Sequence, residues 1–252
     1  VGELTQWIND QCLYPRENLA VAAALCAVSS LAGMRYVDGL DNMSANIIAF
    51  GVAGSGTGKE QILQSYLSII KTAGVQAALH GGFKSEQEVM RNLIRHQAAF
   101  YCIDELGITL SKLQNASKKG GASYLEGIVG LVMSVYSKAN GYLPITGDLK
   151  DDIKQKLIIE YAQVEKKLEK LAEDSSTETM RAKLAEAKEQ IMLAIKSVDD
   201  GLENPYLTVL GFTTPVTFND LMTFEQATNG FMARAMIFSD LETNPKRKPR
   251  FT

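Results

Sequence analysis

A chain of 252 residues with 46% hydrophobic side chains holds enough apolar material for one sizeable core, and its 26 basic and 29 acidic residues leave a net charge of −3. That balance excludes a collagenous or wholly disordered chain, and it excludes nucleic-acid binding driven by a global positive field; any such contact needs a local patch. The three cysteines, Cys12, Cys26 and Cys102, are odd in number, far apart and set in apolar surroundings, which suits buried thiols in a reducing, cytoplasmic compartment better than a disulfide framework or a zinc site.

The first predicted unit is a helical lead-in over residues 1–45. Its most apolar window, LAVAAALCAVSSLAGM from Leu19 to Met34, is too short and too rich in small residues to span a bilayer, which takes about 20 predominantly apolar residues. It lacks signal-peptide layout as well, so the window reads as a buried helix and no membrane contact is expected. Five short apolar runs then read as strands: Asn46 to Val52, Val75 to Leu79, Ala99 to Ile103, Tyr206 to Phe212 and Ala233 to Ser239. Helical patterns lie between them. Alternation of this kind demands crossover connections, and the expected fold is α/β, a mostly parallel five-stranded sheet flanked by helices, over residues 46–252.

The first strand runs into FGVAGSGTGKEQIL, Phe50 to Leu63. A phosphate-binding loop needs converging backbone N–H groups, glycines for the unusual dihedrals, a lysine for the terminal phosphates and a helix N-terminus behind it. The stretch Ala53-Gly54-Ser55-Gly56-Thr57-Gly58-Lys59-Glu60-Gln61 supplies all four, and its expected ligand is ATP. The full motif has glycine where Ala53 stands and a magnesium-holding hydroxyl where Glu60 stands. A carboxylate beside the metal is tolerable when the cation lies between it and the phosphates, so Glu60 reads as a changed metal ligand and not as a disabling one. The third strand, in QAAFYCIDELG, ends in Asp104-Glu105. In that pattern the aspartate orders the Mg²⁺ shell, partly through water, and the glutamate polarises the attacking water.

A charge-rich segment, residues 151–198, interrupts the alternation. Ile153, Leu157, Tyr161, Val164, Leu168 and Leu171 fall three and four apart; Asp174 to Thr177 breaks the pattern, and Met180, Leu184, Ala187, Ile191 and Ala194 resume it. This predicts a helical hairpin, a coiled coil whose second arm is capped by Ser175 with Glu178, and whose ordinary use is structural decoration or a protein contact. The fourth strand ends in GFTTP and the fifth is opened by Arg234 in GFMARAMIF. The sequence stops shortly after the basic run Pro245 to Arg250, which suggests a piece of something longer. His80 and His96 have no nucleophile beside them in the sequence and read as ordinary residues.

The order of YPRENLAVAAALCAVSSLAGMRY, SGTGK, FKSEQEVMRNL, AFYCIDELG, GIVGLVMSVYSKANG, PYLTVLGFTTP and GFMARAMIF resembles the ATPase domain of phage and plasmid primase-helicase proteins, an AAA+-like P-loop group, over most of the chain. SGTGKE also resembles the loop of bacterial activators of the alternative sigma factor, although their GAFTGA loop has no counterpart here. The resemblance implies a γ-phosphate sensor at Thr213 or Thr214, with Thr214 favoured as nearer the strand tip; a threonine that merely caps the next helix is the plainer alternative. It implies that Arg234 acts as a finger in a neighbouring subunit's site, against the alternative of a surface ion pair. It further implies a homo-oligomeric ring, a hexamer, that hydrolyses ATP to move along DNA, single-stranded by preference. The DNA-contacting element would lie between Lys138 and Asn204, with Lys138, Lys150, Lys154 and Lys156 as basic candidates. Two other classes stay open: an AAA+ regulator or loader that remodels a protein, and a nucleotide-binding scaffold without hydrolysis.

Overall fold

The computed structural model describes residues 1–33, 36–40, 43–111, 124–171, 178–225, 230–242 and 246–248. Two helices, α1 (Gly2–Gln11) and α2 (Glu17–Ala32), precede β1 (Ile48–Ala53) and α3 (Lys59–Thr72). Then come β2 (Leu79–His80), α4 (Glu86–His96) and β3 (Ala98–Ile103), followed by α5 (Tyr124–Ser137) and β4 (Tyr142–Leu143). The long helices α6 (Gly147–Leu171) and α7 (Glu178–Asp200) lead to β5 (Leu202–Glu203), β6 (Tyr206–Thr213), α8 (Pro215–Glu225) and β7 (Ala235–Asp240).

The five expected strands form one sheet in the order β2-β3-β6-β1-β7, and every pairing is parallel. The strand that leads into the glycine loop therefore lies at the third interval from β2, with β6 and β7 as its neighbours. All residues of β1, β3 and β6 are buried, which is why they read as unbroken apolar runs and not as an alternation. Side chains still divide by parity: Ile48 and Phe50 join a core with α4, α5 and the long helices, while Ala49 and Ala53 join a core with α1, α2 and α3. Small residues let α2 approach closely. A Cβ at Gly51 would stand 2.4 Å from the Phe212 ring, and one at Gly33 would stand 1.7 Å from the Tyr206 ring. The lead-in, together with α3, thus forms one of the two helical layers over the sheet.

Two strand expectations shift at their ends. β2 pairs only through Leu79 and His80, and Gln76–Ala78 is a 3₁₀ turn. Gly74 at φ 76° ends α3, and Gln76, Ala77 and Ala78 have little β preference at a sheet edge with a single partner. At the other edge a second 3₁₀ turn, Met232–Arg234, precedes β7, so Arg234 stands just before the strand instead of opening it.

The helical hairpin exists, as α6 and α7, and its arms extend beyond 151–198 at both ends. Its base is part of the core: Ile153, Leu157, Ile191, Ala194 and Val198 are buried in the cluster that includes Val89, Met90 and Leu93 of α4. Arg95 of α4 pairs with Glu160 of α6, and the arms are tied by Lys154 with Asp199 at 2.6 Å and Lys188 with Glu165 at 2.8 Å. An unanticipated antiparallel pair, β4 with β5, closes that base. Ser175 and the break at 174–177 lie outside the described residues. Among the described residues no helix is long and apolar enough to cross a membrane.

Candidate functional site

Because all five strands run the same way, the glycine loop after β1, the acidic pair after β3 and the end of β6 emerge at one edge of the sheet. The loop is built from left-handed backbone that only glycine adopts freely: Gly56 has φ 69° and Gly58, the residue before α3, has φ 95°. Thr57, buried between them, donates its hydroxyl to the Gly54 carbonyl at 2.7 Å. Ser55 and Gly56 are exposed at the tip.

Lys59 opens α3 and is 9% exposed. Its ammonium has three donors, two of which rest on the carbonyls of Ala53 at 3.2 Å and Thr213 at 3.4 Å. These are long contacts, and they tie the loop to the adjacent strand. Glu60 is exposed, with its carboxylate accepting from Gln64 at 2.8 Å. Gln61 faces the other way and accepts from the Leu13 amide at 2.7 Å, so its role in the structure is to hold the chain that enters α2.

Asp104 and Glu105 are both exposed beyond β3. Glu105 has φ 57° and its amide donates to Asp104 Oδ1 at 3.1 Å. A non-glycine residue in this region costs on the order of 1–3 kcal/mol and clusters at functional sites. Burial, with smaller contributions from Asp104 and Glu60, pushes the Cys102 thiol up to about 12. Among the described residues no group of three His, Cys, Asp or Glu side chains could hold a metal ion alone. A magnesium ion does not require one, since it takes one or two carboxylates and fills its remaining positions with phosphate oxygens and water. Glu60 and Asp104 fit that donor set.

The two threonines separate. Thr214 accepts from the Thr217 amide at 3.4 Å and its hydroxyl lies 3.0 Å from that of Thr217, so it caps α8. Thr213 is fully buried, its carbonyl faces Lys59, and its hydroxyl has no hydrogen-bond partner. That hydroxyl abuts the start of the helical stretch after Glu105, where a Cβ on Gly107 would stand 2.1 Å from it. Of the two, Thr213 is the one that touches Lys59, through its backbone carbonyl.

Arg234 is not brought to this edge. It precedes Ala235, the register partner of Ile48 at the start of β1, so the length of β1, roughly 20 Å at 3.3 Å per residue, separates it from its own glycine loop. It is exposed and donates to the Gly230 carbonyl at 3.0 Å. The basic candidates of the insertion fare unevenly. Lys150 and Lys154 are engaged by the carbonyl and carboxylate of Asp199, whereas Lys138 and Lys156 are exposed. The cysteines are free and buried. His80 packs against Tyr101 at 5.3 Å between ring centres, and burial holds its pKa below the ordinary histidine value.

Sequence reasoning passed over Arg16, which the structure places against the loop with no exposed surface. Its partners are 41 and 224 residues away, so no local pattern announces it. The only hint is a charged residue set just before an otherwise apolar helix.

No family model, curated protein or solved structure matches the chain.

Proposed function

We propose that the chain is the P-loop, AAA+-like ATPase core of a phage-type DNA helicase or translocase that works as a homo-oligomeric ring. The observation that carries the reading is the meeting of Lys59, Thr213 and the Asp104-Glu105 turn at one sheet edge, with β6 set between the strands that bear the loop and the acids. Glycine N–H groups and the N-terminus of α3 receive phosphate oxygens. Lys59 exchanges its two long carbonyl contacts for phosphate, Asp104 with Glu60 holds the cation, and Glu105 takes the proton from the attacking water. Magnesium–ATP, when bound, supplies the transferable phosphoryl group and the charge that offsets it. Arg234 stands away from its own glycine loop and is exposed, which supports a place for it in a neighbour's site, where an arginine stabilises phosphoryl transfer by about a thousandfold or more. A DNA-gripping element belongs in the long segment between α5 and β6, where Lys138 and Lys156 are open to solvent.

The test is phosphate release by the purified protein with and without single-stranded DNA, in wild type, Lys59→Ala and Glu105→Gln. Lys59→Ala is expected to lose nucleotide binding; Glu105→Gln is expected to bind normally and lose turnover. A wild-type chain that binds no nucleotide would end the reading, and equal loss of binding in both variants would remove the assigned roles.

A second reading, an AAA+ regulator or loader acting on a protein, is favoured by one observation. Ile158, Ile159, Met192 and Leu193 on the hairpin are all more than half exposed, while two of the four candidate lysines are spent on Asp199. ATPase activity indifferent to DNA, with no strand displacement, would select it.

A further inference from the structure

Among the charged side chains of the described residues only Lys59 and Arg16 are buried, and Arg16 is the more buried of the two at 0% exposure. Each of its three guanidinium nitrogens donates a hydrogen bond. Nε donates to the Thr57 carbonyl at 3.0 Å, one terminal nitrogen to Asp240 at 2.5 Å, and the other to the Glu242 carbonyl at 2.7 Å. The backbone beneath it is anchored too, since the Arg16 amide donates to Asn9 at 3.1 Å. The tail returns along the same path, with the Lys248 amide donating to the Leu13 carbonyl at 2.8 Å.

Thr57 sits in the glycine loop, and the peptide that joins it to Gly58 is trans. In a trans peptide the C=O and N–H point to opposite sides. Fixing the Thr57 carbonyl on Arg16 therefore fixes the Gly58 N–H on the far side of the loop, away from the guanidinium. Without that tether the peptide is free to turn over, because glycine occupies positive and negative φ with nearly equal ease. A turned peptide would set a carbonyl oxygen where a phosphate needs a donor. Asp240 balances the charge of Arg16, so the arginine contributes direction to the loop without adding net positive charge.

We infer that Arg16 is a positioning residue of the phosphate loop: through the Thr57 carbonyl it aims the Gly58 N–H at the phosphates of a bound nucleotide, and Asp240 with the Glu242 carbonyl holds it in place. This rests on the nucleotide-binding reading above. The N–H serves ground state and transition state alike, so its loss weakens binding without slowing the bound complex. Lysine at position 16 cannot reproduce the planar fork that meets three acceptors at once.

The experiment compares wild type, Arg16→Lys and Asp240→Asn. Kd for ATP and for ADP is measured by calorimetry, steady-state kinetics are measured with ATP, and melting is followed without nucleotide. Arg16→Lys is expected to raise both Kd values and KM on the order of tenfold, the effect of one charge-assisted hydrogen bond, with kcat unchanged. Asp240→Asn is expected to shift the same quantities in the same direction by less. A lowered melting temperature with unchanged Kd would make Arg16 merely structural and overturn the inference. One measurement needs no variant: in wild-type protein labelled with ¹⁵N-glycine, ADP should move the Gly58 amide proton downfield, and a Gly58 resonance indifferent to bound ADP would also overturn it. Failure of the wild type to take up ATP or ADP removes the nucleotide reading itself, whereas a wild type that binds beside an Arg16→Lys that binds equally well removes only the role of Arg16.

Discussion

Thr213 and Thr214 are adjacent, chemically identical and placed in opposite circumstances, which makes them a sensitive probe of the site. The Thr213 hydroxyl is buried without a partner, and an unsatisfied buried polar group costs about 1–3 kcal/mol. Thr213→Val should therefore stabilise the free protein by roughly 1 kcal/mol, and on the proposed reading, in which the hydroxyl finds its partner when phosphate binds, it should slow ATP turnover. Thr214→Ala should do the reverse, costing about 1 kcal/mol through loss of the α8 cap and leaving turnover near wild type. Thermal melts and phosphate-release rates on the two variants decide it, and a turnover defect confined to Thr214→Ala would return the sensor role to that residue. Glu60 is tested at the same scale. Its carboxylate is exposed and accepts from Gln64, so Glu60→Thr should keep turnover and change the magnesium concentration that gives half-maximal rate. Complete loss of activity in that variant would show that the glutamate has a role other than metal binding.

At the scale of elements, the hairpin divides into a rooted half and a free half. Ile153, Leu157, Ile191, Ala194 and Val198 are buried against α4, and truncating a single buried Ile or Leu costs about 2–5 kcal/mol, against a total stability of about 5–15 kcal/mol. Removing residues 151–198 should consequently unfold the protein. Removing only 166–187 behind a short glycine-serine linker should leave the fold and nucleotide binding intact, because Glu165 with Lys188 and everything below them remain; circular dichroism and melting curves on the two deletions check this. The contrast marks how far the sequence could be read. Strands β1, β3 and β6 were legible because buried parallel strands are continuous apolar runs with polar ends, and the loop and acidic pair were legible because each is a local motif. The hairpin's spacing was legible as helix, but charges on three sides of it read as a solvated arm, and nothing local shows that one face meets α4. β2 was overestimated for a related reason: its length is set by a single neighbouring strand. Arg16 was invisible because its partners are brought to it by the fold alone.

At the scale of the whole molecule, the glycine loop and Arg234 stand apart. The glycine loop stands at the C-terminal end of the parallel strands and Arg234 at the N-terminal end, joined by β7, which runs beside β1 from Ala235 to Asp240. Arg234→Ala should therefore bind ATP almost normally and hydrolyse it slowly, and mixing it with inactive Lys59→Ala should recover part of the activity, because some mixed interfaces pair an intact Lys59 with an intact Arg234. Light scattering with ATP present establishes first that an oligomer forms, and energy transfer between separately labelled subunits after mixing establishes that they exchange. A mixture that never exceeds the sum of its components would show that Arg234 does not act across an interface. The same sheet order has a consequence for how the protein is made. The strand that joins the two halves of the site, β6, is sixth in the chain and lies between the first and third. A ribosome that has delivered the loop and the acidic turn has yet to deliver the strand that sets their spacing, about a hundred residues later by the numbering. Contacts across such separations require closing long loops before any pairing rewards it, which slows folding and leaves the edges of β1 and β3 bare in the meantime. During that interval the nascent chain carries every residue of the motif and no site, with two apolar strand edges open to whatever chaperone or neighbouring chain reaches them first.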